Sequence, residues 1–330
     1  MCAPMYVVQF DQFGPPEDVV ACVEFETPKP AAGEILVEVE AFPINPADLL
    51  QIEGRYAVKP PLPARLGAES CGIVTELGEG VTEFAIGDRV MVLARENWAS
   101  HRCIQSAEAL KLPADGDPLQ YAMLKVNPAT ATLMLTEYVT LEPGDWVIQN
   151  AANSGVGAAL IRIAKQRGWR TLNVVRRDDA GERVKNWGGD VALMDDEDLV
   201  DQVNAATGGV APKLAIDAVG GAATKRLSQS SADGAIVVNY GLLSGDACMM
   251  EAADLIFRQQ TLTGFWLGGI FQKIGRPAIE ALYGQLAEDT RTGALVTDVE
   301  AVYAIKDIKA AVAHAGKGGR NGKVLVRPNS

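Results

Sequence analysis

The stretch WVIQNAANSGVGAALIRIAKQRGWRTLNVVRR, from Trp146 to Arg177, leaves the chain little freedom of fold. WVIQNA reads as a buried strand and NSGVG as a turn of small residues. Apolar residues then recur at Val156, Ala159, Leu160, Ile163 and Ala164, the spacing of one helix face. Gly168 stops that helix, and LNVV is a second β-branched run. Strand, turn, helix and strand make a βαβ unit, with a turn of the kind that binds phosphate between its first strand and its helix.

The turn departs from the G-x-G-x-x-G pattern. Ala152, Ser154 and Gly157 stand where three glycines would. Gly157 keeps the position where helix and strand pack most closely. Ala and Ser are small enough to let backbone N–H groups reach a pyrophosphate at the helix N-terminus. The residue after LNVV indicates which dinucleotide is bound. A carboxylate there holds a ribose 2′-hydroxyl, whereas an arginine matches a 2′-phosphate in charge and bidentate geometry. Here Arg176 follows the strand and Arg177 comes next, so NADPH is the expected cofactor.

At 330 residues the chain is too long for one small core, and two domains are expected. Hydrophobic residues make up 48% and charged residues 22%, a globular composition. No apolar run reaches bilayer length, and MCAPMYVVQFDQFG has neither the basic start of a signal peptide nor the Arg-rich character of a transit peptide. The expectation is a cytoplasmic protein with no membrane association. A net charge of −12 argues against nucleic acid as a partner. The acid is not uniform. Lys306, Lys309, Lys317, Arg320, Lys323 and Arg327 face Asp307 alone near the C-terminus, a basic tail suited to a solvated face or to an anionic ligand. Five scattered cysteines (Cys2, Cys22, Cys71, Cys103, Cys248) form no disulfide framework and no C-x-x-C pair.

Before residue 120, VVQF, ILVEVEAF, CGIVTELG and DRVMVLA read as short strands between tight turns, a small, partly open barrel. Asp117-Pro118 opens a helix, and Asn127-Pro128 opens another. After the βαβ unit come strands at DVALM, KLAIDAVGG, GAIVVNYGLL and TLTGFW, six in all for a full doubly wound sheet. A helix turns back around Gly284 to Gly293. VEAVYAIKDIKAAVAHA and GKVLVRP then supply a helix and a last strand that rejoin the β-region. The expected organisation is α/β: residues 1–126 with 267–330 as a discontinuous barrel-like catalytic domain, and 127–266 as a Rossmann domain with a six-stranded parallel sheet.

That plan resembles the medium-chain dehydrogenase/reductase superfamily, whose first domain is GroES-like. Zinc alcohol dehydrogenases of the superfamily place a Cys near the N-P-A-D loop and a His in a Gly-His-Glu turn as metal ligands. Here Asn45-Pro46-Ala47-Asp48 and Gly67-Ala68-Glu69 hold those places, and His101 and His314 lie far apart, so no metal is expected. INPADLLQIEGRY, KVNPATA, VIQNAANSGVG, NVVR, VNYG and Gly264-Phe265-Trp266-Leu267 resemble the trans-2-enoyl-thioester reductases in order and type. Quinone reductases share the loop and Gly87-Asp88-Arg89-Val90 but resemble the later stretches less.

The resemblance implies Tyr56 as the catalytic tyrosine, on a loop between Gly54 and the prolines at 60, 61 and 63 that is placed to close over substrate. It implies cofactor contacts at Asn127, at Asn153, Ser154, Gly155, Val156 and Gly157, at Tyr240, Gly241, Leu242 and Leu243, at Phe265, Trp266 and Leu267, and at Lys323. It also implies a homodimer, and a substrate carried on CoA or acyl-carrier protein. Departures fall at Arg177-Asp178 and in LGAESCG, and they bear on substrate more than on cofactor. Three readings stay open: an NADPH-dependent enoyl-thioester reductase, an NADPH-dependent quinone or enone reductase, and a catalytically inactive cofactor-binding protein.

Overall fold

A computed structural model describes residues 5–26 and 28–329, so Cys2 lies outside the described residues. Two compact units divide the chain, 1–126 with 280–330 and 127–279.

In the first unit β1 (Met5–Phe10) pairs antiparallel with β2 (Ala21–Phe25). The long β3 (Glu34–Pro43) belongs to a second sheet, and the short β4 (Ala64–Arg65) completes the first. β5 (Ser70–Leu77), β6 (Arg89–Val92), β7 (His101–Gln105) and β8 (Ala109–Lys111) follow. Trp98 joins the two sheets: its carbonyl accepts from Val8 N–H at 2.9 Å, and its ring stacks on Phe42 at 5.8 Å between centroids.

The second unit carries β9 (Trp146–Gln149), β10 (Arg170–Val175), β11 (Val191–Met194), β12 (Leu214–Asp217), β13 (Ile236–Asn239) and β14 (Thr261–Gly264). All five pairings are parallel, in the order β11-β10-β9-β12-β13-β14. The order reverses between β9 and β12, the switch point at which doubly wound sheets bind ligands at their strand carboxyl ends. The helix Gly155–Gln166 buries Val156, Ala159, Leu160, Ile163 and Ala164 against this sheet, each large side chain stabilising by about 1.5–3 kcal/mol. Gly168 ends it at φ +72, a conformation that costs glycine little.

The chain returns to the first unit through β15 (Val299–Ala304) and β16 (Lys323–Arg327), and β16 pairs with β3. Ile308, Ala311, Val312 and Ala315 of the helix Ile308–Gly316 enter the same core as Phe42 and Trp98. Here the structure corrects three expectations. VEAVYA is strand, not the start of a helix, because β16 supplies it with a parallel ladder over Val299–Ala304. One helix, Arg276–Arg291, runs through Gly284 without turning back. The return to the first unit falls at 280 rather than 267, because Trp266, Gly269, Ile270 and Lys273 line a hollow with Glu137, Tyr138, Thr263 and Gly264 of the second unit.

Candidate functional site

At the carboxyl end of β9 the chain turns through Ala151, a non-glycine at φ +45, and Ala152 into the helix. Ser154 is the N-cap, and its Oγ accepts from Gly157 N–H at 3.1 Å. The N–H groups of Gly155 and Val156 have no carbonyl one turn earlier in the helix to bond, and they lie at the positive end of its dipole. A Cβ on Gly157 would come within 2.3 Å of the Ala152 carbonyl oxygen, so only glycine allows this approach. The turn therefore fits the pyrophosphate of a dinucleotide.

Other expected residues gather at the same sheet edge. Tyr240 follows β13; burial pushes its phenol up to about 12, with Ser154 nearby working against it. A Cβ on Gly241 would stand 2.7 Å from the Ala218 carbonyl oxygen. Leu242 and Leu243 are exposed. Phe265 is buried, its N–H donating to Asn239 O at 2.8 Å. The half-exposed Trp266 lays its ring against Gly268 and Gly269, and Leu267 begins a short helix. Asn153 sits half-buried in the turn, and Asn127 opens the helix Asn127–Thr136. Arg176 and Arg177 are exposed past the end of β10. Arg177 forms an ion pair with Asp179 at 3.1 Å, whereas Arg176 has no ion pair among the described residues.

Tyr56 and Lys323 belong to the first unit. The helix Pro46–Ile52 is closed by a capping box between Asn45 and Asp48. The chain then turns at Gly54, φ +71, where a Cβ would meet the Phe13 ring at 3.1 Å. Tyr56 is held by its N–H on Leu50 O at 3.0 Å; the residue is half-buried, and its hydroxyl has no hydrogen bond among the described residues. Lys323 is buried, its Nζ donating to Asn45 Oδ1 at 2.5 Å and Ile44 O at 3.3 Å.

Sequence reasoning missed the cluster around that lysine. Asn45 Nδ2 donates to Glu69 Oε1 at 2.8 Å, and Val126 N–H donates to Glu69 Oε2 at 2.8 Å. Lys125 Nζ donates to the carbonyls of Ala68 and Leu93 at 2.5 Å and of Ala94 at 3.1 Å. Burial pushes Lys125 down to about 8, against the pull of Glu69. Burial likewise raises Glu69 and lifts Asp48 to about 6, although Asn45 N–H and Lys323 oppose it. The one legible signal was polar residues flanked by apolar runs, as at Asp48 and Lys125.

The cluster includes Asn45, Asp48 and Glu69, from the two stretches that the resemblance to zinc alcohol dehydrogenases singles out, and no His or Cys stands among its named members. Lys323 and Lys125 bring two ammonium groups into it, held by an amide oxygen and backbone carbonyls, and among the described residues no three His, Cys, Asp or Glu side chains come together to hold a metal ion.

Asp48 has a test of its own, because its Oδ1 is buried without a partner. The folded pKa lies above the ordinary 3.8, so this stability is complete below pH 3.8 and is lost as pH rises through about 6. Asp48→Asn mimics the protonated form. It raises stability at pH 8 by about 1–3 kcal/mol, a gain that shrinks toward pH 4. Melting temperatures at the two pH values measure it, and a uniform loss at both would refute the assignment.

The comparisons with known proteins agree with this geometry. Residues 31–149 match the model of the alcohol dehydrogenase GroES-like domain, and residues 155–283 match that of the zinc-binding dehydrogenases. The mitochondrial enoyl-[acyl-carrier-protein] reductase of Dictyostelium discoideum is 34% identical over 255 residues, 75% of this chain and 73% of the relative. Its Homo sapiens counterpart is 35% identical over 265 residues, 78% and 71%. Among solved structures, an Etr1p/NADP/crotonyl-CoA complex superposes with TM-score 0.87 at 25% identity, covering 98% of this chain and 100% of that one. A mycobacterial quinone oxidoreductase superposes with TM-score 0.87 at 26% identity, covering 98% and 100%. With a GroES-like first unit, a six-stranded parallel sheet carrying a phosphate turn, and these relatives, the chain belongs to the enoyl thioester reductases of the medium-chain dehydrogenase/reductase superfamily.

Proposed function

We propose that the protein reduces the C2=C3 double bond of trans-2-enoyl thioesters, carried on CoA or acyl-carrier protein, with NADPH. The observation that carries this reading is the Ser154-capped turn with Arg176 at the end of the neighbouring strand, a site shaped for a dinucleotide with a 2′-phosphate. The thioester half rests on the names of the relatives and on the NADP and crotonyl-CoA of the Etr1p complex.

Bound NADPH supplies a hydride, which adds to the β-carbon. The π electrons then shift toward the thioester oxygen as an enolate, and the α-carbon takes a proton. Tyr56 meets both needs of the enolate stage. Its phenol donates a hydrogen bond to the oxygen on which charge develops, and its O–H is a proton source for the α-carbon. Around the dinucleotide, Asn127, Asn153, Ser154, Gly155, Val156 and Gly157 take the nicotinamide side and the pyrophosphate. Tyr240 to Leu243 and Phe265 to Leu267 border it, Arg176 and Arg177 take the 2′-phosphate, and Lys323 completes the set.

Loss of NADPH absorbance with crotonyl-CoA, and none with a quinone, is the expected result. Turnover of the quinone alone would establish the second reading, whose quinone oxidoreductase shares the fold at the same TM-score as the Etr1p complex. This reading needs no zinc: the expected result of metal analysis on the purified protein is no stoichiometric zinc, and one zinc per chain would overturn it. The chain assembles as a homodimer through β14, one of the two edge strands of the parallel sheet, which follows the exposed Ile256 and Phe257 in the chain. Molar mass in solution tests the assembly directly.

A further inference from the structure

Asp217, the last residue of β12, has no exposed surface. A carboxylate buried there loses its hydration, and it persists as an anion only if protein donors replace the water. Five do. Oδ1 accepts from Asn150 Nδ2 at 2.6 Å, Val219 N–H at 2.9 Å and Gly220 N–H at 3.1 Å. Oδ2 accepts from Thr224 Oγ1 at 2.6 Å and Asn239 Nδ2 at 2.9 Å. Burial works to raise the pKa of Asp217, but the bonds from Thr224, Asn150, Asn239 and Gly220 outweigh it and leave the group below the ordinary carboxylate value.

The donors come from segments that border the phosphate turn. Asn150 ends the run from β9 and returns the contact, its Oδ1 accepting from Ala218 N–H at 2.7 Å. The next residue is Ala151, held at φ +45, a conformation that costs a non-glycine residue roughly 1–2 kcal/mol and needs its neighbours to hold it. Asn239 ends β13 and also donates to Gly241 O at 3.0 Å, bracketing Tyr240. Tyr240 stands near enough to Ser154, the cap of the phosphate-binding helix, for that side chain to act on its phenol. The Asp217 carboxylate is thus tied to the start of the turn through Asn150, which precedes Ala151, and through Asn239 to the segment that carries Tyr240.

We propose that Asp217 is a positioning residue for the dinucleotide: by locking the carboxyl ends of β9, β12 and β13 together, it holds residues 151–157 in the shape that receives the pyrophosphate. The inference rests on the dinucleotide reading above. Asp217 touches no substrate atom and acts through Asn150 and Asn239. Asparagine cannot replace it, because an amide NH2 would face donors where an oxygen accepted from them.

The test is a set of full-length variants read by NADPH Kd from calorimetry, kcat and KM with crotonyl-CoA, and melting temperature. Asp217→Asn weakens NADPH by about tenfold or more, the effect of losing a charged hydrogen bond. Thr224→Val weakens it by about three- to tenfold, and Thr224→Ser, which keeps the hydroxyl, restores it. In each, kcat at saturating NADPH stays within about twofold, since a transition-state interaction is not what is lost. A folded Asp217→Asn or Thr224→Val protein with a lower melting temperature but wild-type NADPH Kd would make Asp217 a residue of the fold alone. If Asp217→Asn does not fold, the Thr224 pair decides. Failure of the wild-type protein to bind NADPH would instead remove the dinucleotide reading, and this inference with it.

Discussion

Tyr56→Phe lowers kcat for crotonyl-CoA reduction by about 10²–10³-fold and leaves the Kd for NADPH within about twofold, because one donor to a developing oxyanion is worth that much. The substitution removes a single oxygen. The Tyr56 N–H on Leu50 O, the glycine turn at Gly54 and its packing on Phe13 all remain. The Tyr56 hydroxyl has no hydrogen bond among the described residues, so its loss strands no buried partner and stability should barely change. A drop in kcat without a drop in melting temperature therefore reports chemistry. Near-normal turnover in Tyr56→Phe would take the phenol out of the mechanism and leave proton delivery to water or another group. Loss confined to KM for the thioester would make Tyr56 a binding residue, since uniform binding affects KM without lowering kcat.

Arg176→Ala is the second large effect. It raises KM for NADPH by about 10²-fold and KM for NADH by less than about threefold, because a guanidinium paired with a phosphate dianion contributes roughly 2–3 kcal/mol. Arg176 follows β10 directly and is exposed, with no acidic partner among the described residues to compete for it. Arg177 is different, because Asp179 already pairs with it at 3.1 Å. Arg177→Ala therefore has the smaller effect on NADPH, and the two variants together rank the arginines. Steady-state kinetics with both cofactors measures this. Equal losses for NADPH and NADH in Arg176→Ala would mean that the arginine does not read the 2′-phosphate. The same measurement at raised salt separates an exposed charge contact, which is screened, from a buried one.

Much of the second unit could be read in the sequence because its signals are local. The strand, turn and helix at 146–166 show their periodicity, their small residues and their Ser154 cap within a few turns of chain, and capping and helix-face burial act over that same distance. The six strands were legible for the same reason, each a short apolar run bounded by turn residues. VEAVYA was not. Its alternation is weak, and only pairing with β16, itself separated from it by the helix Ile308–Gly316, makes it a strand. The return point at 280 was illegible too, because it depends on which side chains share a hollow.

The site divides along the same line. Arg176 and the phosphate turn are singled out by residue type and spacing, and Tyr56 by the resemblance of its loop to that of the enoyl-thioester reductases. The buried polar residues are not. Lys323 reaches Asn45 across 278 positions, and Asp217 meets Asn150 across 67 and Asn239 across 22. By itself the sequence determined the βαβ unit, the succession of short strands, the class of cofactor and the residues bordering the phosphate turn. Only the tertiary structure decided that Asn45, Glu69 and Lys323 form one buried cluster with Asp48 and Lys125 close by, and that Asp217 ties three strand ends together. The physical reason is desolvation. A charge taken out of water persists only beside donors or counter-charges that folding brings to it from distant parts of the chain.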